Sequence, residues 1–194
     1  MAHVRGAMIL KKRGKRTIIM AFLTILSLPL RAQNGASLAD QYTNVDYGYS
    51  VLIPEHLRIR RSDPLAPNHG FGIDLSDKPP SYLWVDGTFY SEDFTVSEVP
   101  QVTIRGLQYR GAANIKLRNK VRIRLGGLSA MLFIIDYELK QKPMVSETIW
   151  ALRPAKKDSI AIHYSIVLEC ARERFDQDSH IAEKLRQGWH LLPH

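Results

Sequence analysis

From Lys116 to Leu125 the chain alternates polar and apolar residues, with Asn119 the one polar residue among Leu117, Val121, Ile123 and Leu125. This two-residue period belongs to a strand with one buried face. Gly126-Gly127 follows as a turn, and Ser129–Leu139 reads as a long apolar strand. Lys140-Gln141-Lys142-Pro143 makes the next turn, Val145–Leu152 a third strand and Ile160–Ala171 a fourth. Successive strands joined by short turns predict an antiparallel meander. The pattern then changes to a helical one over Asp176–Gln187, with Ile181, Leu185 and Trp189 toward the core and Gly188 as the stop.

The first half is less regular. Residues 33–41 are small and polar and predict a flexible lead-in. Tyr42-Thr43-Asn44 is extended, Asp46-Tyr47-Gly48 is a turn, and Tyr49–Ile53 is a strand stopped by Pro54. After a loop over 61–70, strands are predicted at Phe71–Leu75 and Tyr82–Val85, joined by Ser76–Pro80. Residues 97–110 predict a helix capped by Ser97 with Pro100 in its first turn, although Gly106 and Val102-Thr103-Ile104 weigh against one. Many strands and few helices predict an α+β domain, an antiparallel sheet packed against helices.

Residues 1–32 stand apart. Lys11, Lys12, Arg13, Lys15 and Arg16 precede an apolar run from Thr17 to Leu30, and Arg31-Ala32 follows. That order predicts a secretory signal peptide cut after Ala32, or after Ala36, with translation starting at Met1 or Met8. A spanning helix needs about 20 apolar residues, so this run is short for an anchor. The expected location is the periplasm or the cell exterior, with no membrane span left after cleavage. The leader also changes the charge. The 194 residues carry 27 Lys and Arg against 19 Asp and Glu, a net of +8. Seven of the basic residues and none of the acids lie in residues 1–32, which leaves residues 33–194 at +1. A near-neutral domain is a poor match for phosphate-rich nucleic acid, and none is expected as a partner. With one cysteine, Cys170, an intrachain disulfide is impossible, so residues 42–194 must fold as a single domain on their apolar core.

The segment Tyr42-Thr43-Asn44, Tyr47-Gly48-Tyr49-Ser50-Val51, Ile53-Pro54 is similar to the opening of Mog1/PsbP-like domains. So is the later order: Gly127-Leu128 opening a strand, a strand pair, and a terminal helix ending near Trp189. The resemblance implies an antiparallel sheet sandwiched by helices. It carries over no functional residue, because one fold serves unrelated tasks.

Three groups of residues are candidates for chemistry. Lys116, Arg118, Lys120, Arg122 and Arg124 would line one face of a regular strand, with Leu117, Val121, Ile123 and Leu125 on the other. Such a stripe suits an anionic ligand or an acidic envelope protein. It also guards an edge strand against aggregation, and Asp136 and Glu138 stand ready to neutralise it. Tyr82 and Trp84 share a strand face, either as core or as a platform for sugar or peptide. His69, with Asp74 or Asp86, is the alternative of an envelope hydrolase, but no Gly-x-Ser-x-Gly elbow supplies its nucleophile. A third alternative is a carrier with an apolar gap between sheet and helix. Cys170 lies in phase with Ile162, Tyr164, Ile166 and Leu168 and is expected to be a buried, inert thiol. Neither metal nor cofactor is expected: the histidines and aspartates lack ligand spacing. The reading is an exported, non-catalytic binding or accessory domain of the cell envelope.

Overall fold

The computed structural model describes residues 40–60, 69–90, 95–155 and 160–193. The predicted leader lies outside them. Strand β1 (Asp40–Asn44) begins within the stretch read as a lead-in and turns through Gly48 into β2 (Tyr49–Ile53). Then come β3 (Phe71–Asp77), β4 (Pro80–Phe89) and helix α1 (Val99–Tyr109). The meander follows as β5 (Ala113–Leu125), β6 (Leu128–Leu139), β7 (Lys142–Arg153) and β8 (Ile162–Ala171). Helix α2 (Phe175–Gln187) and a short strand β9 (Trp189–Leu191) close the chain.

The strands form two antiparallel sheets. The larger has the order β3-β4-β8-β7-β6-β5, so the predicted meander is intact and β4 pairs with its last strand. The smaller has the order β1-β2-β9. Its third strand was not foreseen: Trp189-His190-Leu191 pairs with Tyr49-Ser50-Val51 instead of trailing off the helix.

Turn chemistry explains the tight meander. Gly126 and Gly127 both take positive φ, the conformation that two-residue hairpin loops favour. The β6–β7 turn is Lys140-Gln141, also at positive φ without glycine, and Lys142 and Pro143 already belong to β7. Helix α1 starts with Pro100 in its first turn, as expected, but Ser97 does not cap it. The N-cap is Glu98, without a side-chain cap bond; the Glu98 carboxylate instead accepts from the backbone N–H and hydroxyl of Thr95.

Two hydrophobic clusters cover opposite faces of the large sheet. One joins Leu125, Ala130, Ile149, Ile166, Leu168 and Cys170 to α2 and the small sheet, with Tyr49, Tyr164 and Trp189 nearly devoid of exposure at its centre. The other sets Val99 and Leu107 of α1 on Met131, Phe133, Ile135, Tyr137, Met144 and Trp150. The layering is therefore α1, then the large sheet, then α2 with the small sheet. Ser81 donates to the fully buried Asp178 at 2.5 Å, and Arg174 pairs with the same carboxylate at 2.8 Å, so the first turn of α2 is tied to β4.

The expected cationic stripe is not one stripe. Leu117 pairs with Ile135 but Asn119 pairs with Ile134, which makes Arg118 the extra residue of a bulge. Cross-strand partners share a face. Lys116, opposite Asp136, therefore faces the α2 side, while Lys120, Arg122 and Arg124, opposite Phe133, Met131 and Ser129, face the α1 side. Leu117 likewise joins the α1 cluster and leaves the side of Ile123 and Leu125. Arg118 lies over the Phe175 ring at 5.0 Å and pairs with Asp136, which Arg172 also approaches at 3.4 Å. Arg118 holds the Asp136 carboxyl below its ordinary range.

Candidate functional site

Alternation places Tyr82 and Trp84 of β4 on the α1 side of the large sheet. Register puts Glu169 opposite Tyr82 and Val167 opposite Trp84, with Ser146 and Thr148 of β7 beyond them. Helix α1 packs on the β6–β7 part of this face and leaves the part over β3, β4 and β8 open. There a cleft of about 520 Å³ is lined by Arg60, Gly72, Asp74, Tyr82, Trp84, Arg110 and Glu169 among others. A second space of about 330 Å³ runs beneath α1, between Val99, Gly106 and Leu107 above and Ser146, Thr148, Trp150 and Ser165 below. Trp84, Arg110 and Glu169 line both, so the two spaces adjoin.

The Tyr82 and Trp84 rings stack 5.6 Å apart at 18°, an offset aromatic pair at the base of the cleft. Arg110, directly after α1, reaches across and donates to both oxygens of Glu169 at 2.6 and 3.0 Å. The Tyr82 hydroxyl donates to the same carboxylate at 2.5 Å. The side chain of Glu169 is 5 % exposed and that of Arg110 43 %, so the carboxylate fixes a guanidinium that still faces solvent. Bidentate pairing of this kind sets orientation as well as energy. Burial, followed by the Glu169 charge, pushes the Tyr82 hydroxyl up to about 12, and the Glu169 bonds raise Arg110 further above its ordinary value. The Tyr137 hydroxyl is buried and has no hydrogen-bond partner among the described residues; burial, then the nearby Glu169 charge, raises its pKa. On the opposite wall Arg60 pairs with Asp74 at 2.9 Å, and a mutual backbone bridge to Gly72 holds Arg60 there.

The structure divides the proposed hydrolase residues. His69 Nδ1 is 3.1 Å from the Thr88 hydroxyl, and its ring packs on Tyr47 at 4.4 Å. Its carbonyl accepts from Asn44 and Tyr49 at 2.7 and 2.8 Å. Asp86 is close by; its carboxylate accepts the backbone N–H groups of Gly87 and His69, and burial raises its pKa. Asp74 is elsewhere, in the cleft with Arg60. The contacts around His69 thus tie a loop to β1, β2 and β4.

Cys170 is free and buried, and burial, then Asp178, pushes its thiol up to about 12. No group of three metal-ligating side chains occurs among the described residues, and none of their helices is long and apolar enough to cross a membrane. The space expected of an apolar carrier exists beneath α1, but hydroxyls of Ser146, Thr148 and Ser165 share its floor. Sequence pattern located Tyr82 and Trp84. It missed Arg60, Arg110 and Glu169, because the two arginines lie outside regular elements, Arg60 within the run Arg58-Ile59-Arg60-Arg61, and Glu169 sits inside an apolar strand.

No family model matches the sequence, and no curated protein matches it. Solved structures do. LpqN of Mycobacterium tuberculosis, described as involved in cell envelope biogenesis, superposes with a TM-score of 0.60 at 12 % identity, over 82 % of this chain and 88 % of that one. Cyanobacterial PsbP from Synechocystis gives 0.53 at 14 %, over 84 % and 99 %. The chain has the Mog1/PsbP-like fold. A Bacteroides thetaiotaomicron protein gives 0.51 at 7 %, over 81 % of this chain and 50 % of that one. At these identities the Mog1/PsbP-like likeness speaks for architecture, as the residues at 42–54 and 127–128 had suggested.

Proposed function

We propose that this protein is an exported, non-catalytic binding domain of the cell envelope, and that its ligand occupies the cleft between α1 and β3-β4-β8. One observation carries the reading. Two adjoining spaces share Trp84, Arg110 and Glu169, and their linings combine aromatic and apolar surface with paired charges and hydroxyls held in place. Small-molecule sites have this composition and a volume of roughly 300–1,000 Å³. The leader-like residues 1–32 support export, and the envelope role of a structural neighbour, LpqN, supports the compartment.

The test uses an obstruction. A Cβ at Gly106 meets nothing within 4 Å, and Gly106 lines the space beneath α1. Gly106→Phe therefore places a ring where there is open space at the Cβ, to obstruct the space beneath α1. The full chain is expressed in its source cells, recovered from the envelope fraction and weighed by native mass spectrometry. The expected result is a mature chain lacking residues 1–32 or 1–36 that carries an added mass, with the added mass missing from Gly106→Phe. An equal load on both proteins would remove the cleft as the site. An intact N-terminus at Met1 or Met8 would remove the export step.

A further inference from the structure

We infer that the cleft takes a neutral sugar whose ring packs against the Tyr82–Trp84 pair, with Arg110 donating to its hydroxyls. This rests on the cleft being the ligand site, and four features select the chemistry.

The charges in the cleft cancel. Arg60 and Arg110 are each paired with a carboxylate, Asp74 and Glu169 respectively. A phosphate or a carboxylate ligand would meet those acids; an amine would meet the guanidinium groups. Neither sign of ligand gains a net counter-charge.

The base of the cleft is aromatic while its surroundings carry hydrogen-bonding groups. The offset Tyr82 and Trp84 rings are half exposed there. The guanidinium of Arg110 and the buried Glu169 border them, and hydroxyls of Ser146, Thr148 and Ser165 line the neighbouring space beneath α1. Arg110 uses two of its N–H groups on Glu169. A guanidinium carries five, so others remain for a ligand. A pyranose has the matching character, an apolar ring face and an equatorial belt of hydroxyls.

A peptide is disfavoured by the backbone. Strands β4 and β8 are interior strands of the large sheet, hydrogen-bonded on both sides. Strand β3 is the edge, and Arg60 already bridges it at Gly72 with two backbone hydrogen bonds, which takes up part of the edge that strand addition requires. The polar groups on offer are side chains, which suit a ligand whose own polar groups are hydroxyls.

A planar heteroaromatic would also stack on the floor. It would leave the belt of hydroxyls and the guanidinium with few partners, and a site built to hydrogen-bond discriminates against ligands that leave its groups unpaired.

The experiment uses isotopically labelled protein recovered from cells expressing the full chain. Maltotriose and N,N′-diacetylchitobiose are titrated to millimolar concentration. Glucuronic acid, adenosine and tetra-alanine are the comparison probes. At least one neutral sugar should shift the Trp84 indole N–H and the Tyr82 and Glu169 amides. Trp84→Ala and Arg110→Ala should each weaken that binding about tenfold or more, whereas Lys142→Ala, outside the cleft, should not. The proposal is overturned if the neutral sugars leave these signals unmoved, or if their shifts persist in Trp84→Ala. An added mass that Gly106→Phe abolishes, in a protein indifferent to both sugars, would keep the cleft as the site and reject the sugar.

Discussion

On the α2 side of the large sheet, Trp189 stacks on Tyr49 at 5.8 Å and meets Tyr164 edge-on at 4.9 Å, and all three are essentially unexposed. Behind them Leu125, Ile149, Ile166 and Leu185 leave no room for solvent. On the α1 side the corresponding aromatic pair, Tyr82 and Trp84, stacks just as closely but is only half covered, and the buried positions beside it are Ser146, Thr148, Ser165 and Glu169. The same sheet thus presents a closed face and an incomplete one. Hydrophobic burial scales with apolar area removed from water, so the closed face supplies most of the stability. The incomplete face gives up some of that burial and in return has fixed polar groups in a space a ligand can enter.

The contrast can be broken most directly by truncating one tryptophan on each side. Trp189→Ala should cost about 3–5 kcal/mol, the usual range for a buried large aromatic. Trp84→Ala should cost less than about 1.5 kcal/mol, since little cavity is created at a half-exposed site. Urea unfolding of the two variants measures this; equal losses would mean the α1 side is as much core as the other.

Acidity probes the closed face next. Glu147 lies between Ile134 and Leu168 and faces Glu183 of α2, and burial, with that neighbouring charge adding, pushes its pKa up to about 7 from 4.5. The folded state therefore keeps a proton that the unfolded chain releases. Stability from this group is whole below pH 4.5, falls as pH rises and is gone above about 7. The slope in that window should approach about 1.4 kcal/mol per pH unit, and Glu147→Gln should flatten it in unfolding curves taken from pH 4 to 8.

Two smaller effects sharpen the view of the incomplete face. Gly106 sits in α1 with open space where a Cβ would go, so Gly106→Ala should raise stability by about 0.5–1 kcal/mol through helix propensity alone. A loss would show that α1 sits tighter on the sheet than the cleft implies. Smallest of all, Lys120→Glu with Arg122→Glu should change stability by no more than about 0.5 kcal/mol, because both side chains are exposed. Their effect should appear only in capture of an acidic partner, and unchanged capture would discard that surface.

Apart from β9, the strands, both helices and the core face of β8 were legible in sequence because period and turn residues agree there. Gly126-Gly127 and Pro100 announce their positions; the turn after β6 was placed at 140–143, but its tightening to Lys140-Gln141 was not, since positive φ at such residues is imposed by the hairpin and not by their chemistry. The cationic stripe misled for a physical reason. The alternation from Lys116 to Leu125 reads as one face per parity, and its single irregularity, Asn119 at an apolar position, coincides with the bulge but looks no different in sequence from an ordinary polar substitution. Of the cleft, the aromatic floor was visible from Tyr82 and Trp84 at adjacent same-face positions. Arg110 and Glu169 lie 59 residues apart, and only the order of the strands brings them together.

The bulge at Arg118 bears on chain length. Elsewhere in a paired strand, losing one residue turns every downstream side chain to the wrong face. Here Leu117 and Asn119 already oppose consecutive residues of β6, so a chain shortened by Arg118 would keep residues 119–125 facing as they do now. What would be lost is the lid on Phe175 and a partner of Asp136. At such a position the fold can absorb a change in chain length, and the hairpin beyond it stays in phase.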